Sequence, residues 1–194
     1  MTTSKSDRTV EEFKEAARRV FARQGYTVTK ITDITEEAGR ATGGIYRYFE
    51  SKAALLEALA DDFIRARHDH VIHVSGDRHT MTTEEDVRQH VEAYWQTYRE
   101  YLPEMVAIYE AAVSDPQFAE LREQIRSADL AIWRRHIKEL RAHLGKPVAD
   151  ASNLAHMVVG LLEQYCYATL HVGNGGPRKK TSVLAKFVYG GITT

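Results

Sequence analysis

The sequence lacks the features that several classes of protein require. It contains a single cysteine, Cys166, so no disulfide can form within the chain and a disulfide-stapled scaffold is excluded. No uncharged apolar run reaches the about 18 residues of a membrane helix, and the N-terminal residues show no apolar stretch typical of a signal peptide. We therefore expect a cytoplasmic protein that does not enter a membrane.

Motifs of common enzyme classes are missing as well. The sequence has no His-Glu-x-x-His, Gly-x-Ser-x-Gly or Walker A run, and no histidine follows a glutamate by three positions, as di-metal bundles require. His68, His70 and His73 are close together, but positions 68 and 70 do not share a helix face. We expect a solvated histidine cluster, no metal, no cofactor and no enzyme activity.

The composition is typical of an all-helical globular protein. The chain has 194 residues, of which 43% are apolar and 27% charged, so it can bury enough apolar surface to fold. Apolar residues recur at helical spacing, and no strand pattern or internal repeat is visible. We predict an all-α fold of about nine helices.

Capping residues predict several helix limits. Thr9-Val-Glu-Glu12 is a capping box that predicts the start of the first helix. Ser51 and Thr83 precede two later helices as N-cap residues. The glycine-rich stretch 173–177 predicts a loop before the last helix.

Two short helices are predicted within residues 29–48. The first covers Thr29 to Glu37, and after the turn Ala38-Gly39-Arg40 the second runs from residue 41 or 42 to Tyr48. Such a pair forms a helix-turn-helix, whose second helix enters the major groove of DNA. Plain packing of two short helices in an all-α protein would give the same pattern, and this alternative stays open.

The second short helix carries side chains suited to DNA. Gly43 and Gly44 each weaken a helix by about 1 kcal/mol relative to alanine, a cost that close approach to DNA would justify. Thr42 can contact a base, and the Arg47 guanidinium can pair with guanine or phosphate. The donors available to phosphate oxygens are Tyr46, Tyr48 and Lys52. Residues 1–52 also carry a net charge of +2 against −3 for the rest, consistent with a local basic face.

Residues 13–56 resemble the DNA-binding domain of the TetR family of transcriptional regulators. The matching pieces are Ala16-Ala17…Phe21…Gly25-Tyr26, Ile34…Ala38-Gly39, Gly43…Ile45-Tyr46-Arg47-Tyr48-Phe49 and Ser51-Lys52…Leu55-Leu56. The sequence departs from the family pattern at Thr35, Arg40 and Ala41, where alanine, an apolar residue and serine are usual. Because serine is absent at position 41, we expect Thr42 to take the N-cap role.

The resemblance implies a homodimeric regulator with two domains. A three-helix helix-turn-helix domain would occupy residues 1–52, and a helical ligand-binding and dimerisation domain residues 53–194. Tyr46 and Lys52 would contact phosphates, and Thr42, Gly43 and Arg47 would read bases. The implied function is that of a ligand-responsive repressor, which binds a palindromic operator in double-stranded DNA and is released by a small, largely apolar molecule.

The second part of the chain offers candidate ligand and dimer residues. Aromatic residues with polar tips concentrate in residues 87–172 and suit a small-molecule cavity between helices, although core packing explains each of them as well. The candidate ligand residues are Tyr94, Tyr98, Tyr109, Trp133, Met157 and Leu161. The candidate dimer residues are Leu154, Val158, Leu162, Tyr165, Leu184, Phe187 and Val188, on two apolar stripes that would otherwise face their own core.

Two other classes of function compete with a DNA-binding regulator. One is an all-helical module that binds a protein partner and no specific DNA, and the other is an all-helical enzyme without a recognisable catalytic constellation. Salt-dependent binding to duplex DNA separates the regulator from both.

Overall fold

The computed structural model is all-helical where it describes the chain. It describes the backbone of residues 5–75, 80–172 and 179–194, and the side chains of all of these except 67–75, 179 and 180. Nine α-helices and one π-helical turn lie in these ranges, and no strand does, as predicted. The helices are α1 Lys5–Gln24, α2 Ile31–Glu37, α3 Thr42–Ile45, α4 Lys52–Ser75, α5 Glu84–Glu100, α6 Leu102–Ala112, α7 Pro116–His143, α8 Ala151–Cys166 and α9 Lys179–Thr193. The π-helical turn Tyr167–Val172 continues α8, and the predicted loop 173–177 lies outside the described residues.

Two of the predicted helix starts are confirmed and one is wrong. The backbone N–H of Ala54 donates to Ser51 Oγ at 3.1 Å, and Thr83 forms a reciprocal capping box with the residue three positions later. Thr9, in contrast, lies inside α1. Its hydroxyl donates to the carbonyl of Lys5 one turn earlier, which is the bond that a threonine makes in a helix interior.

Two compact units divide the chain. The first comprises residues 1–65 and 101–122, and the second comprises residues 66–100 and 123–194. The first unit therefore contains α1, α2, α3 and α6 with the beginnings of α4 and α7. The functional boundary expected at residue 52 stays a prediction.

The first unit combines an apolar core with buried charge. Phe13, Val20 and Ile34 are at most 1% exposed and pack α1 and α2 together. Burying such side chains stabilises a fold by about 1.5–3 kcal/mol each. This packing is what allows α2 and α3, which are far too short to be stable alone, to remain helical.

A group of ion pairs, here called the charge network, links α1, α4 and α6 of the first unit. Lys14 Nζ lies 2.8 Å from Asp62 Oδ2, and Arg18 Nε lies 2.5 Å from Glu104 Oε1. The Glu104 side chain is only 1% exposed, and its Oε2 atom has no hydrogen-bond partner within the described part of the chain. Burial raises the pKa of Glu104, while the bond from Arg18 acts in the opposite direction.

The second unit has an almost entirely apolar core. Val91, Trp133, Leu162 and Val188 are at most 3% exposed and belong to one cluster formed by α5, α7, α8 and α9. The main exception is His136, whose side chain is fully buried.

Candidate nucleic-acid interface

The predicted turn between α2 and α3 is confirmed. Gly39 has a φ of 62°, and its N–H donates to the carbonyl of Glu36 at 3.0 Å. The N–H of Arg40 donates to the carbonyl of Thr35 at 2.9 Å, which closes the end of α2. Glycine favours this left-handed conformation because it has no Cβ. The chain therefore leaves α2 here and starts α3 at Thr42.

The second helix of this motif is shorter than predicted. It covers only Thr42–Ile45, and a turn follows in which the N–H of Tyr48 donates to the carbonyl of Ile45 at 2.9 Å. The N-cap residue is Ala41, which makes no side-chain cap. The expectation that Thr42 would be the N-cap is therefore wrong. Thr42 is the first helical residue, and its Oγ1 lies 3.1 Å from Thr35 Oγ1.

The two glycines of α3 face open space. A Cβ atom added to Gly43 or Gly44 would meet no atom within 4 Å. Packing within the described residues therefore gives no reason for two residues that each weaken a helix by about 1 kcal/mol. Ile45, by contrast, is fully buried and anchors α3 to the first unit. The open face of α3 is thus available to another molecule.

Most basic side chains around this motif are neutralised by neighbouring carboxylates. Arg40 pairs with Glu12, and Arg19 and Arg23 both pair with Glu37, at 2.7 Å and 3.0 Å. Arg47 is exposed and makes no ion pair among the described residues. The guanidinium at the end of α3 is therefore available to an anion or a base edge.

The other predicted phosphate contacts lie in different surroundings. Tyr46 is 54% exposed, whereas Tyr48 is half-buried, with its ring centroid 6.2 Å from that of Phe13. Lys52 Nζ donates to the carbonyls of Tyr26 and Thr29, at 2.6 Å and 2.7 Å. Burial lowers the pKa of Lys52. In this structure the Lys52 ammonium holds the segment between α1 and α2, and a phosphate contact by it stays a prediction.

Glu110 on α6 holds the same segment and was missed from the sequence. Its Oε2 atom accepts a bond from the backbone N–H of Thr27 at 3.0 Å. Its Oε1 atom lies 2.9 Å from the place that a Cβ on Gly25 would occupy, and Gly25 has a φ of 82°. No local pattern reveals this contact, because the two partners are 83 residues apart.

The structure brings together some of the candidate ligand residues. Trp133 is 3% exposed in the core of the second unit, and Tyr94 and Leu161 pack against that core. Tyr98 is also 3% exposed and stacks on Tyr94 with a centroid distance of 6.3 Å. These four residues belong to one aromatic region.

Two candidate ligand residues lie elsewhere. Tyr109 belongs to the first unit, where Arg122 lies 4.6 Å from its ring centroid. Met157 is 69% exposed on the outer face of α8, so it does not line the interior that contains Trp133. For these two residues the structure does not support the predicted ligand role.

A histidine pair near Trp133, of which His136 is buried and His90 half-buried, was also missed. The rings of His90 and His136 are 4.5 Å apart, and the His90 ring is 6.3 Å from that of Trp133. His136 Nδ1 lies 3.1 Å from Glu139 Oε2. Burial and the neighbouring His90 lower the pKa of His136 to about 4. The His136 imidazole beside the aromatic region is therefore neutral near pH 7.

Four of the seven candidate dimer residues are buried within their own unit, and the dimer role of the set stays a prediction. Val158, Leu162, Leu184 and Val188 are only 0–5% exposed, because they face the core of their own unit. A partner cannot cover side chains that are already covered. Leu154 and Tyr165 are half-buried, and Phe187 is 69% exposed. Exposed apolar side chains instead occur one position earlier on each stripe, at Met157 and Val183.

Metal sites and membrane spans were also sought in the described residues. Within them no group of three histidine, cysteine or acidic side chains could hold a metal ion. The side chains of His68, His70 and His73 lie outside the described ones. No described helix is both long and apolar enough to cross a membrane.

Known proteins match the N-terminal part of the chain. A family model described as bacterial regulatory proteins, tetR family, matches residues 14–59. The HTH-type transcriptional regulator TtgR of Pseudomonas putida is 38% identical over 74 residues, which are 38% of this chain and 35% of that protein. The HTH-type transcriptional repressor KstR2 of Mycolicibacterium smegmatis is 33% identical over 54 residues, which are 28% of this chain and 26% of that protein. The matches thus cover about a third or less of these relatives.

Solved structures match almost the whole chain in fold. A TetR-like transcriptional regulator from Rhodococcus sp. RHA1 has a TM-score of 0.78 at 16% identity, over 98% of each chain. FadR from Bacillus subtilis, in complex with stearoyl-CoA, has a TM-score of 0.72 at 18% identity, over 95% of this chain and 97% of FadR. Residues 14–59, which include the helix-turn-helix of α2 and α3, thus match the tetR family model, and the described chain has the fold of TetR-like regulators.

Proposed function

We propose that this protein regulates transcription by binding a palindromic operator in double-stranded DNA through α3 and the turn that follows it. The observation that carries the proposal is the open face at Gly43 and Gly44, where added Cβ atoms would meet nothing. A helix that is weakened without an internal reason is suited to close approach by DNA. Arg47 supplies an exposed guanidinium beside that face, and such a group can bind guanine or phosphate.

The second element of the proposal is a homodimer formed by α8 and α9. Met157, Val183 and Phe187 are 68–69% exposed on these two helices, and a group of exposed apolar side chains is typical of an interaction surface. Gly160 and Gly190 lie on the same two helices, and a Cβ at either position would meet nothing within 4 Å. Helices with such small residues can approach each other closely. A two-fold dimer would present two copies of α3 to the two half-sites of a palindrome.

The third element is release by a small, largely apolar effector bound in the second unit. Its support is the aromatic region around Trp133, Tyr94 and Tyr98, because apolar and aromatic linings with a few polar groups are typical of ligand sites. FadR, which has the same fold, binds stearoyl-CoA. The effector must bind the DNA-free conformation more tightly than the DNA-bound one, since otherwise it shifts no equilibrium. Action as a repressor is the simplest outcome of this linkage.

Selection of bound duplexes from a randomised DNA pool tests the proposal. We expect enrichment of a palindromic duplex, to which the affinity of the protein falls steeply with increasing salt concentration. Arg47→Ala should weaken binding to the enriched duplex at least tenfold, since a bidentate base contact in each of the two half-sites contributes about 1–3 kcal/mol. Arg134→Ala is the matched control, because Arg134 is also an exposed arginine but lies on α7 in the second unit.

Other results would contradict parts of the proposal separately. No enriched duplex would favour the alternative of a helical protein-interaction module. A monomer at micromolar concentration in light scattering would exclude the dimer, and Phe187→Asp should produce such a monomer. Equal affinity of stearoyl-CoA, used as the first probe, for free and DNA-bound protein would exclude that molecule as the effector.

A further inference from the structure

A chain of hydroxyl groups connects α2 to the first residue of α3. Thr35 is 1% exposed, and its Oγ1 atom lies 3.1 Å from the carbonyl oxygen of Thr32. The same Oγ1 atom lies 3.1 Å from Oγ1 of Thr42. Both distances are within hydrogen-bonding reach, so Thr35 is in contact with two oxygen atoms at once.

The number of available protons determines which group donates in each of the two contacts of Thr35. A hydroxyl has one proton and a carbonyl oxygen has none, so the contact between Thr35 and Thr32 is a hydrogen bond only when Thr35 donates. Thr35 then has no proton left for Thr42, and Thr42 must donate to Thr35. The opposite direction would leave two lone pairs facing each other at 3.1 Å in a buried place, where an unmade hydrogen bond is costly.

We infer that Thr42 faces DNA as a hydrogen-bond acceptor only and selects a base with an exocyclic amino group, adenine or cytosine, on the strand that it contacts. This inference rests on the proposed function, in which α3 lies in the major groove. Adenine N6 and cytosine N4 are the donors there, whereas guanine N7 and O6 and thymine O4 are acceptors. Because the hydroxyl proton of Thr42 is donated to Thr35, Thr42 cannot donate to guanine or thymine, and these bases are disfavoured at that position.

Thr35 acts in this inference as a positioning residue. It is buried and does not itself reach DNA, but it sets the donor or acceptor character of Thr42. A residue without a hydroxyl at position 35 would leave the proton of Thr42 free, and a free hydroxyl can pair with any of the four bases. The specificity of the contact would then be lost while the contact itself remained.

The first experiment selects operators from a randomised duplex pool with wild type and four variants. Thr42→Val removes the acceptor and should relax base preference at one position in each half-site, which identifies the base pair concerned. Thr35→Val keeps the volume but removes the hydroxyl, so guanine and thymine should become accepted at that same position. Thr35→Ser restores the hydroxyl and should restore the preference for adenine or cytosine. Thr32→Val is the matched control, because Thr35 contacts the backbone carbonyl of Thr32, which this variant keeps.

The second experiment uses only the wild-type protein and therefore does not depend on how the variants fold. The selected operator is prepared with N6-methyladenine or N4-methylcytosine at the identified position. The methyl group replaces the major-groove hydrogen of the amino group, while the remaining hydrogen keeps the base pair. Loss of the bond should weaken binding roughly 2- to 10-fold for each methylated half-site, the range expected for a single hydrogen bond. The same methylation should leave the affinity of Thr42→Val unchanged.

The outcomes separate this inference from the proposed function. Full affinity for the duplexes methylated on either strand at the identified position would overturn the inference and leave operator binding intact. An unchanged base preference in Thr42→Val or in folded Thr35→Val would overturn it as well. If wild type enriches no duplex at all, the proposed function fails and the inference fails with it.

Discussion

The two compact units are stabilised by different kinds of contact. In the first unit the charge network joins α1, α4 and α6 through ion pairs such as Arg18–Glu104, and Glu110 and Lys52 hold the segment between α1 and α2 through backbone bonds. In the second unit α5, α7, α8 and α9 meet through one apolar cluster. Charge-assisted hydrogen bonds are directional, whereas apolar burial is not. The second unit has fewer such directional contacts between helices, among them Arg126–Glu163 and the bond from Arg141 to the carbonyl of Ile192, so its helix packing depends more on apolar burial.

This difference matches the tasks that we propose for the two units. Reading bases requires α3 to be held at a defined position, because an error of about an ångström loses a base contact. An effector region must instead adapt to a ligand, and apolar and aromatic side chains around Trp133 can repack without leaving unpaired charges. If the two units differ in this way, substitutions of charged and of apolar residues should change their stability differently.

The largest effect is expected from Arg18→Met, which breaks the charge network. Glu104 is 1% exposed, and removing one partner of a buried ion pair costs about 3–5 kcal/mol. Urea unfolding at neutral pH should show a loss in this range. The double variant Arg18→Met/Glu104→Gln should recover most of it, because no uncompensated buried charge is then left.

The pH dependence of this loss gives a further check. Burial raises the pKa of Glu104 and the bond from Arg18 lowers it, so without Arg18 the folded state takes up a proton at a still higher pH than wild type does. Acid therefore stabilises the Arg18→Met variant relative to its state at higher pH, and the loss should be smaller at pH 5 than at pH 8. Leu162→Ala, in the apolar core of the second unit, is the control: it should cost about 2–5 kcal/mol equally at both values. If Arg18→Met lost the same free energy of unfolding at pH 5 and pH 8, the proposed role of buried charge in the first unit would be contradicted.

His136 should give the second unit the opposite response to acid. Burial and His90 lower its pKa from 6.5 to about 4, so between these values the unfolded state binds more protons than the folded state. The free energy of unfolding should therefore be largest above pH 6.5 and fall by up to about 3 kcal/mol toward pH 4. His136→Gln should remove this part of the slope in urea titrations, whereas the exposed His156→Gln should not. A slope that survives His136→Gln would assign the acid sensitivity to other groups.

The parts of the fold that local patterns determine were predictable. The turn at Gly39 and the caps at Ser51 and Thr83 depend on residues within four positions of each other, and the structure confirms them. The length of α3 was overestimated because the apolar and aromatic residues after Ile45 continue a helical pattern, although the backbone there forms a turn.

Contacts between distant segments were not predictable. Glu104 and Glu110 look like ordinary surface glutamates of a helix, and their partners Arg18 and Thr27 are 86 and 83 residues away. Helical spacing predicts contacts only between residues a few positions apart, so it could not predict these two.

The dimer stripes show a different limit. Neighbouring residues are about 100° apart around a helix, so a broad apolar stripe does not reveal which edge faces the core. On α8 the structure buries Val158 and exposes Met157, and on α9 it buries Leu184 and exposes Val183. The apolar stripes were predicted, but which of their edges faces a partner stays a prediction.

The smallest effect is expected from Glu110→Ala, which removes one directional contact of the first unit. Glu110 accepts a hydrogen bond from the backbone N–H of Thr27 at 3.0 Å, but Thr27 is exposed, so water can replace the carboxylate. We expect a loss of only about 1 kcal/mol in the free energy of unfolding. Amide hydrogen exchange at Thr27 should become about fivefold faster, since about 1.4 kcal/mol corresponds to a factor of ten. The exposed Glu120→Ala, also in the first unit, should change neither quantity. If Thr27 exchanges at the wild-type rate in Glu110→Ala, the segment between α1 and α2 is held by Lys52 and the apolar core without a contribution from α6.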